Sequence, residues 1–212
     1  LYSSPAVAKV AEEAFEMANC SLDDVAALDL YSCFPSAVQI ACDEMGIPLD
    51  DPRGLTVTGG LPYFGGPGNN YVTHSIAEMM NKVRAQPGSK GLVTANGNYV
   101  TKQSAGIYCT EPADKPFMPK DPKIYQAEID ADKGPSVTEV ANGDATIETY
   151  TIMHDRKGPS FGILFGRLPD GSRFIANTPD DSDLMLEMTS KDYLGAEGKV
   201  TEANGVNIFT PS

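Results

Sequence analysis

No stretch of the sequence approaches the ~18 consecutive apolar residues of a membrane-spanning helix, so no span is expected. Basic residues are scarce: 16 Lys and Arg stand against 29 Asp and Glu, a net charge of −13. Such a surface repels the phosphates of nucleic acid and of anionic membranes, and neither is expected as a partner. Histidine is almost missing, and His74 and His154 are too isolated to assemble a metal site, so no metal is expected. Cys20, Cys33, Cys42 and Cys109 form no Cys-x-x-Cys pair and lack disulfide-scaffold spacing. They read as reduced thiols of a cytoplasmic protein. Internal repeats and low-complexity tracts are absent. So are an initiator Met and a signal-peptide pattern, while a helix starts within a few residues of Leu1; the chain reads as part of a longer protein.

What is present divides near residue 111. The stretch 111–122 carries Pro112, Pro116, Pro119 and Pro122, a density that favours an extended linker. The expected organisation is an α/β segment over 1–110, a Pro-rich linker over 111–122 and a small β-rich domain over 123–212.

The first segment opens on a helix, with Ser4 as N-cap, Pro5 at the first helical position, and Val7, Val10, Ala11, Ala14, Phe15 and Ala18 as its apolar stripe. Residues 25–31 read as a buried strand. Phe34, Val38, Ala41 and Met45 fall at helical spacing, and Gly46 and Pro48 end that helix. A Gly-rich loop fills 54–71. A third helix points Val72, Ile76, Met79, Met80 and Val83 inward. Short strands follow at 91–95 and 106–109, joined by the polar stretch 96–104. Three strands with three helices make an incomplete layer, which strands from elsewhere in a longer protein would complete.

In the second segment, Asn142-Gly143, Pro169-Asp170-Gly171 and Asn204-Gly205 are turn signals. They punctuate β-rich runs at 146–153, 161–168, 173–177 and 206–210, with one helical stretch over 182–188. Five or six short strands and one helix fit an OB-like β-barrel. Residues 122–212 hold 8 Lys and Arg against 15 Asp and Glu, which opposes nucleic-acid binding by that barrel.

Three segments carry a family resemblance: Asp29-Leu30-Tyr31-Ser32-Cys33-Phe34, the loop from Gly59 to Asn70, and Val93-Thr94-Ala95-Asn96-Gly97. In this order they resemble three motifs of thiolases of the sterol-carrier-protein type, and more closely those of bacterial thiolase-like proteins of the acetyl-CoA acetyltransferase kind. Some of these carry an extra C-terminal OB-like domain. The resemblance is close over residues 1–111 and looser beyond. It implies the later part of a thiolase fold, a coenzyme A thioester as substrate, no covalently bound cofactor, and a place in lipid metabolism. It also implies that the reactive cysteine lies in an N-terminal half absent from this chain, so that a missing half or another subunit is an expected partner. A homodimer is compatible with the same reading.

Thiolase chemistry uses a nucleophilic Cys, a second Cys that moves a proton, and polar groups that stabilise an oxyanion beside the thioester. Each motif departs from that set. Tyr31 and Ser32 stand where the family has His-Asp before Cys33-Phe34, Gly66 replaces the His of Gly-His-Pro in Gly65-Gly66-Pro67, and Ala95 replaces the Cys of Cys-x-Gly, with Gly97 matching. Ordinary thiolysis is therefore not expected.

The candidate site residues each have two readings. Tyr31 is an oxyanion donor or a hydroxyl satisfied at a strand end, and Cys33 is a catalytic thiol or a packed core thiol. Asn69 and Asn70 bind substrate or cap the third helix. His74 faces the substrate cavity or packs near solvent. Gly66, Asn96 and Gly97 are carried over as substrate-binding positions by the resemblance alone. The Gly-rich loop lacks a Lys-Ser/Thr ending and a Gly-x-Gly-x-x-Gly spacing, so it is no nucleotide cradle; close approach to an acyl-CoA chain is the functional alternative. Three functions compete: an acyl-CoA acyltransferase or carbon–carbon lyase inactive as this chain alone, a non-catalytic acyl-CoA binding module, and nucleic-acid binding through the barrel, which the charge disfavours.

Overall fold

The computed structural model describes residues 2–66 and 68–212. Its chain forms two compact units, divided between Asp132 and Lys133.

The first unit begins with α1 (Pro5–Ala18), which buries Val7, Ala11 and Ala14. Ser4 occupies the N-cap position but does not cap the helix: its hydroxyl donates to the Val100 carbonyl at 3.0 Å. Strand β1 (Val25–Asp29) leads into α2 (Pro35–Met45), which ends at Gly46 with φ +67°. Phe34, expected in the apolar stripe, instead sits at the N-cap position and is half exposed. Pro35 explains this, because it makes the first helical turn start one residue after Phe34. The Gly-rich loop contains the short helix α3 (Leu61–Phe64), followed by α4 (Tyr71–Ala85).

Strands β2 (Lys90–Gly97) and β3 (Lys102–Cys109) run straight through most of the stretch expected as a polar connection, leaving a tight hairpin at 98–101. The sheet order is β1-β2-β3, parallel between β1 and β2 and antiparallel between β2 and β3. Leu28, Leu92 and Ile107 are register partners and pack with Val7, Ala41 and Cys42 from α1 and α2. Their neighbours Ala27, Val93 and Tyr108 face Met79 and Val83 of α4. The alternation of the strands thus assigns α1 and α2 to one face and α4 to the other. At Gly91 an added Cβ would overlap the Met79 side chain, so glycine there lets α4 lie close to the sheet.

Arg53 ties the loop after α2 to the start of β1: it donates to both Asp51 oxygens at 2.9 and 2.8 Å and to the Leu22 and Val25 carbonyls. A helix that composition did not suggest, α5 (Pro122–Ala131), follows the Pro-rich stretch and is capped by Asp121. Lys120 and α5 attach to α1 through the ion pairs Lys120–Glu16 (2.7 Å) and Lys9–Glu128 (2.8 Å).

The second unit is a closed barrel of β4 (Gly143–Asp155), β5 (Gly158–Arg167), β6 (Arg173–Asn177), β7 (Glu197–Ala203) and β8 (Val206–Pro211), in the order β4-β5-β6-β8-β7. Helix α6 (Ser182–Ser190) sits between the third and fourth strands. The long first strand pairs with both β5 and β7, and β6 meets β8 in parallel, which is the OB-like arrangement. Pro169-Asp170-Gly171 and Asn204-Gly205 turn the chain as read, with Asn204 and Gly205 both at positive φ. Asn142-Gly143 leads into β4 rather than joining two strands. The β4–β5 hairpin turns at Arg156-Lys157, and β7, too polar for the strand pattern, completes the closure. Ile147, Leu164, Phe174, Val200 and Phe209 form the core, with Met188 of α6.

The barrel yields two expectations. A Cβ at Gly198 would overlap the Thr210 carbonyl oxygen and lie 2.9 Å from Pro211 Cα, both backbone atoms that side-chain motion cannot clear. Gly198→Ala should therefore lower stability by about 1–3 kcal/mol, read as a reduced urea midpoint. Separately, Arg173, and after it Arg167, hold the Glu148 carboxyl at about 2, below its ordinary 4.5. A depressed folded-state pKa means that its contribution is complete above 4.5 and lost as pH falls towards 2. The melting temperature of the wild type should drop more steeply across that window than that of Glu148→Gln.

Candidate functional site

The three motif segments meet where β1 ends. Asp29, the last residue of β1, is fully buried, and each of its carboxyl oxygens accepts two hydrogen bonds. Oδ2 accepts from Thr56 Oγ1 at 2.9 Å and from the Val57 amide at 3.0 Å. Oδ1 accepts from Tyr71 Oη at 3.1 Å and from Ser75 Oγ at 2.7 Å. Thr58 Oγ1 lies 2.7 Å from the same Tyr71 hydroxyl and accepts from the Gly60 amide. One carboxyl group thus joins the strand end, the Gly-rich loop and the first two turns of α4. Ser32 adds a second tie, accepting from the Leu61 amide at 2.8 Å.

Tyr31 follows in chain order. Its amide donates to Thr94 Oγ1 at 2.9 Å, and its ring meets Tyr71 edge-on with centroids 5.5 Å apart at 84°. Among the described residues its hydroxyl has no hydrogen-bond partner. Burial, then the proximity of Cys33 and Tyr71, pushes the phenol above its ordinary value of 10, so it keeps its proton at neutral pH.

Cys33 and Asn96 come together: Asn96 Nδ2 lies 3.3 Å from Cys33 Sγ, while Gln103 Nε2 donates to Asn96 Oδ1 at 3.2 Å. Tyr31 and Asn96 also border one small void between the helices and the β2–β3 hairpin. Cys33 does not open α2 directly, since the helix begins two residues later, and it is partly rather than fully buried. Gly97, next after Asn96, ends β2 opposite Lys102.

Asn70 is the N-cap residue of α4 in backbone position, yet its side chain bonds no helix amide; it accepts from Thr73 Oγ1 and approaches His74 Nε2 at 3.4 Å. His74 also meets the Phe64 ring at 5.2 Å. Asn69 is exposed and Gly66 half-buried against Tyr71, while Pro67 of the second motif lies outside the described residues. The predicted residues therefore form two groups, Tyr31–Cys33–Asn96 and Asn70–His74, with Tyr71 between them. Sequence reading missed Thr56, Tyr71 and Ser75 and gave Asp29 no role beyond its place in the first motif; none of the four carries a local signal of the network they form. Among the described residues no group of three His, Cys, Asp or Glu is placed to hold a metal ion, and no helix is long and apolar enough to cross a membrane.

Fold and motifs define a thiolase-type α/β segment followed by an OB-like barrel. Residues 125–204 match the family described as the thiolase-like protein type 1 additional C-terminal domain. The whole chain is similar to a monomeric SCP2-thiolase like protein type 1 from Mycobacterium smegmatis, with 48% identity and a TM-score of 0.90. That match covers 99% of this chain and 46% of the other, so the chain spans about half the length of that protein. The comparison with curated proteins finds no match. The chain is that of a thiolase-like protein with an additional C-terminal domain.

The surroundings of Gly66 leave little room for a side chain. A Cβ at Gly66 would lie 3.0 Å from Tyr71 Cβ and 3.4 Å from Leu61 Cγ. Gly66→His should therefore cost about 1–3 kcal/mol in chemical denaturation, because the imidazole must displace a side chain anchored to Asp29. Combined with Ala95→Cys, it should still yield no thiolysis of acetoacetyl-CoA.

Proposed function

We propose that this chain supplies the second half of a coenzyme A thioester site, working with a thiolase-type N-terminal half that brings the reactive cysteine. In this reading Tyr31 is the oxyanion donor and the chain alone is inactive. The reaction is carbon–carbon bond chemistry beside the thioester other than ordinary thiolysis, a retro-aldol cleavage being the best fit. The observation that carries the reading is the Tyr31 phenol: protonated, partly exposed, and without a protein acceptor among the described residues. A donor left unspent next to three segments that resemble the thiolase motifs is what stabilising a developing oxyanion requires. Gly66 and Ala95 remove the groups that would move a proton, which argues against acetyl transfer.

A second reading, a non-catalytic acyl-CoA binding module, draws on the Cys33–Asn96 contact, which occupies the nearest thiol with an amide rather than a base.

The test is cleavage of β-ketoacyl-CoA and β-hydroxyacyl-CoA substrates by the protein joined to its N-terminal half, compared with Tyr31→Phe and with the 212-residue chain alone. Tyr31→Phe should fold with at most about 0.5–1.5 kcal/mol lost. Its turnover should fall on the order of 100-fold, the cost of one oxyanion donor. Equal turnover in Tyr31→Phe on every substrate would make Tyr31 structural, and binding without turnover would favour the second reading.

A further inference from the structure

We infer that Tyr71, held by the buried carboxyl group of Asp29, is a positioning residue that sets the orientation of the Tyr31 phenol. This rests on the reading of Tyr31 as the donor but concerns residues that reading does not use. Tyr71 is almost fully buried, so it does not touch a substrate; it acts through its edge-on contact with the Tyr31 ring.

Three observations converge on it. Its hydroxyl is held from two directions, donating to Asp29 Oδ1 at 3.1 Å and lying 2.7 Å from Thr58 Oγ1, so the ring has one orientation. Glycine at position 66 leaves the room that the Tyr71 Cβ needs, and any larger residue there would push on it. Lastly, the carboxyl group carrying the network is fully buried among neutral donors, an arrangement costly to desolvate where apolar packing would serve stability alone. Among the described residues Tyr31 has one hydrogen bond, from its amide to Thr94, and one aromatic partner, Tyr71; the rest of its surroundings is the small void it borders. Releasing Tyr71 therefore releases the phenol.

The experiment uses the full chain labelled with 3-fluorotyrosine, the Tyr31 fluorine resonance being identified by its loss in Tyr31→Phe. Tyr71→Phe keeps the ring beside Tyr31 and removes only the hydroxyl bonded to Asp29 and Thr58. The Tyr31 resonance should shift and broaden in Tyr71→Phe and in Asp29→Asn. It should stay in place in Ser75→Ala, which takes a different donor from the same carboxyl group. An unchanged Tyr31 resonance in Tyr71→Phe overturns the proposal, and so does an equal shift in Ser75→Ala, the sign of general loosening. Should Asp29→Asn fail to fold, Tyr71→Phe decides. Because this readout needs no ligand, the two proposals fail separately. A coupled Tyr31 in a protein inert towards coenzyme A thioesters keeps this inference and ends the functional one; Tyr31-dependent cleavage without coupling does the reverse.

Discussion

The buried carboxyl group of Asp29 is the constraint around which the α/β unit is arranged. A carboxyl group at the end of a strand covered on both faces is unfavourable unless each lone pair is answered. Thr56, Val57, Tyr71 and Ser75 answer it from two segments distant in sequence. The Gly-rich loop thereby has a defined path, although it contains little regular structure, and α4 has a fixed rotation about its axis. Met79 and Val83 would allow α4 to rock on the sheet; Tyr71 and Ser75 do not. Hydrophobic burial supplies the attraction between helix and sheet, and the polar network selects one geometry.

The barrel solves a different problem by different means. Closing five short strands demands strong curvature, and glycines stand where side chains or backbone cross the wall: Phe174 over Gly166, Thr178 beside Gly162, and the Thr210 carbonyl against Gly198. Polar ties close the remaining gaps. Asn207 accepts from the Ala141 amide and donates to the Glu139 and Ile175 carbonyls, and Tyr150 donates to the Met188 and Lys191 carbonyls at the end of α6.

Local signals were legible in the sequence and long-range polar ones were not. The helices α1, α2 and α4 and the strands β1, β2, β5 and β6 follow from apolar periodicity, and the Asn204-Gly205 turn from its two positive-φ residues. Strand β7 escaped because Glu197, Lys199 and Glu202 are exposed and Val200 is its one large apolar residue. Helix α5 escaped because it buries none of its residues and depends on Asp121 and on the ion pair of Glu128 with Lys9 of α1. The family resemblance carried by the three motifs was legible. Asp29 was not, since in sequence it closes an apolar run, and its partners lie 27 to 46 residues away. Tyr71 read only as the end of the Gly-rich loop, and Ser75 carried no signal, for the same reason.

The altered motifs make chemical sense together rather than one at a time. Where a thiolase has imidazole, this chain has Gly66, and the adjoining space belongs to Tyr71. The position of the second thiol is Ala95, and the nearest sulfur, Cys33, contacts an amide. The remaining histidine, His74, rests against Phe64 and Asn70. Among the described residues Cys33 is hydrogen-bonded by the Asn96 amide and not by a base, and the Asp29 carboxyl group is taken up by its four donors. On the proposed reading, such a set can stabilise negative charge on a thioester oxygen but cannot itself shuttle a proton. Proton transfer then falls to the substrate or to groups outside this chain. That division of labour fits a retro-aldol cleavage, in which a base outside this chain takes the β-hydroxyl proton, the Cα–Cβ bond breaks to release a carbonyl compound, and the enolate charge rests on the thioester oxygen until Cα is protonated.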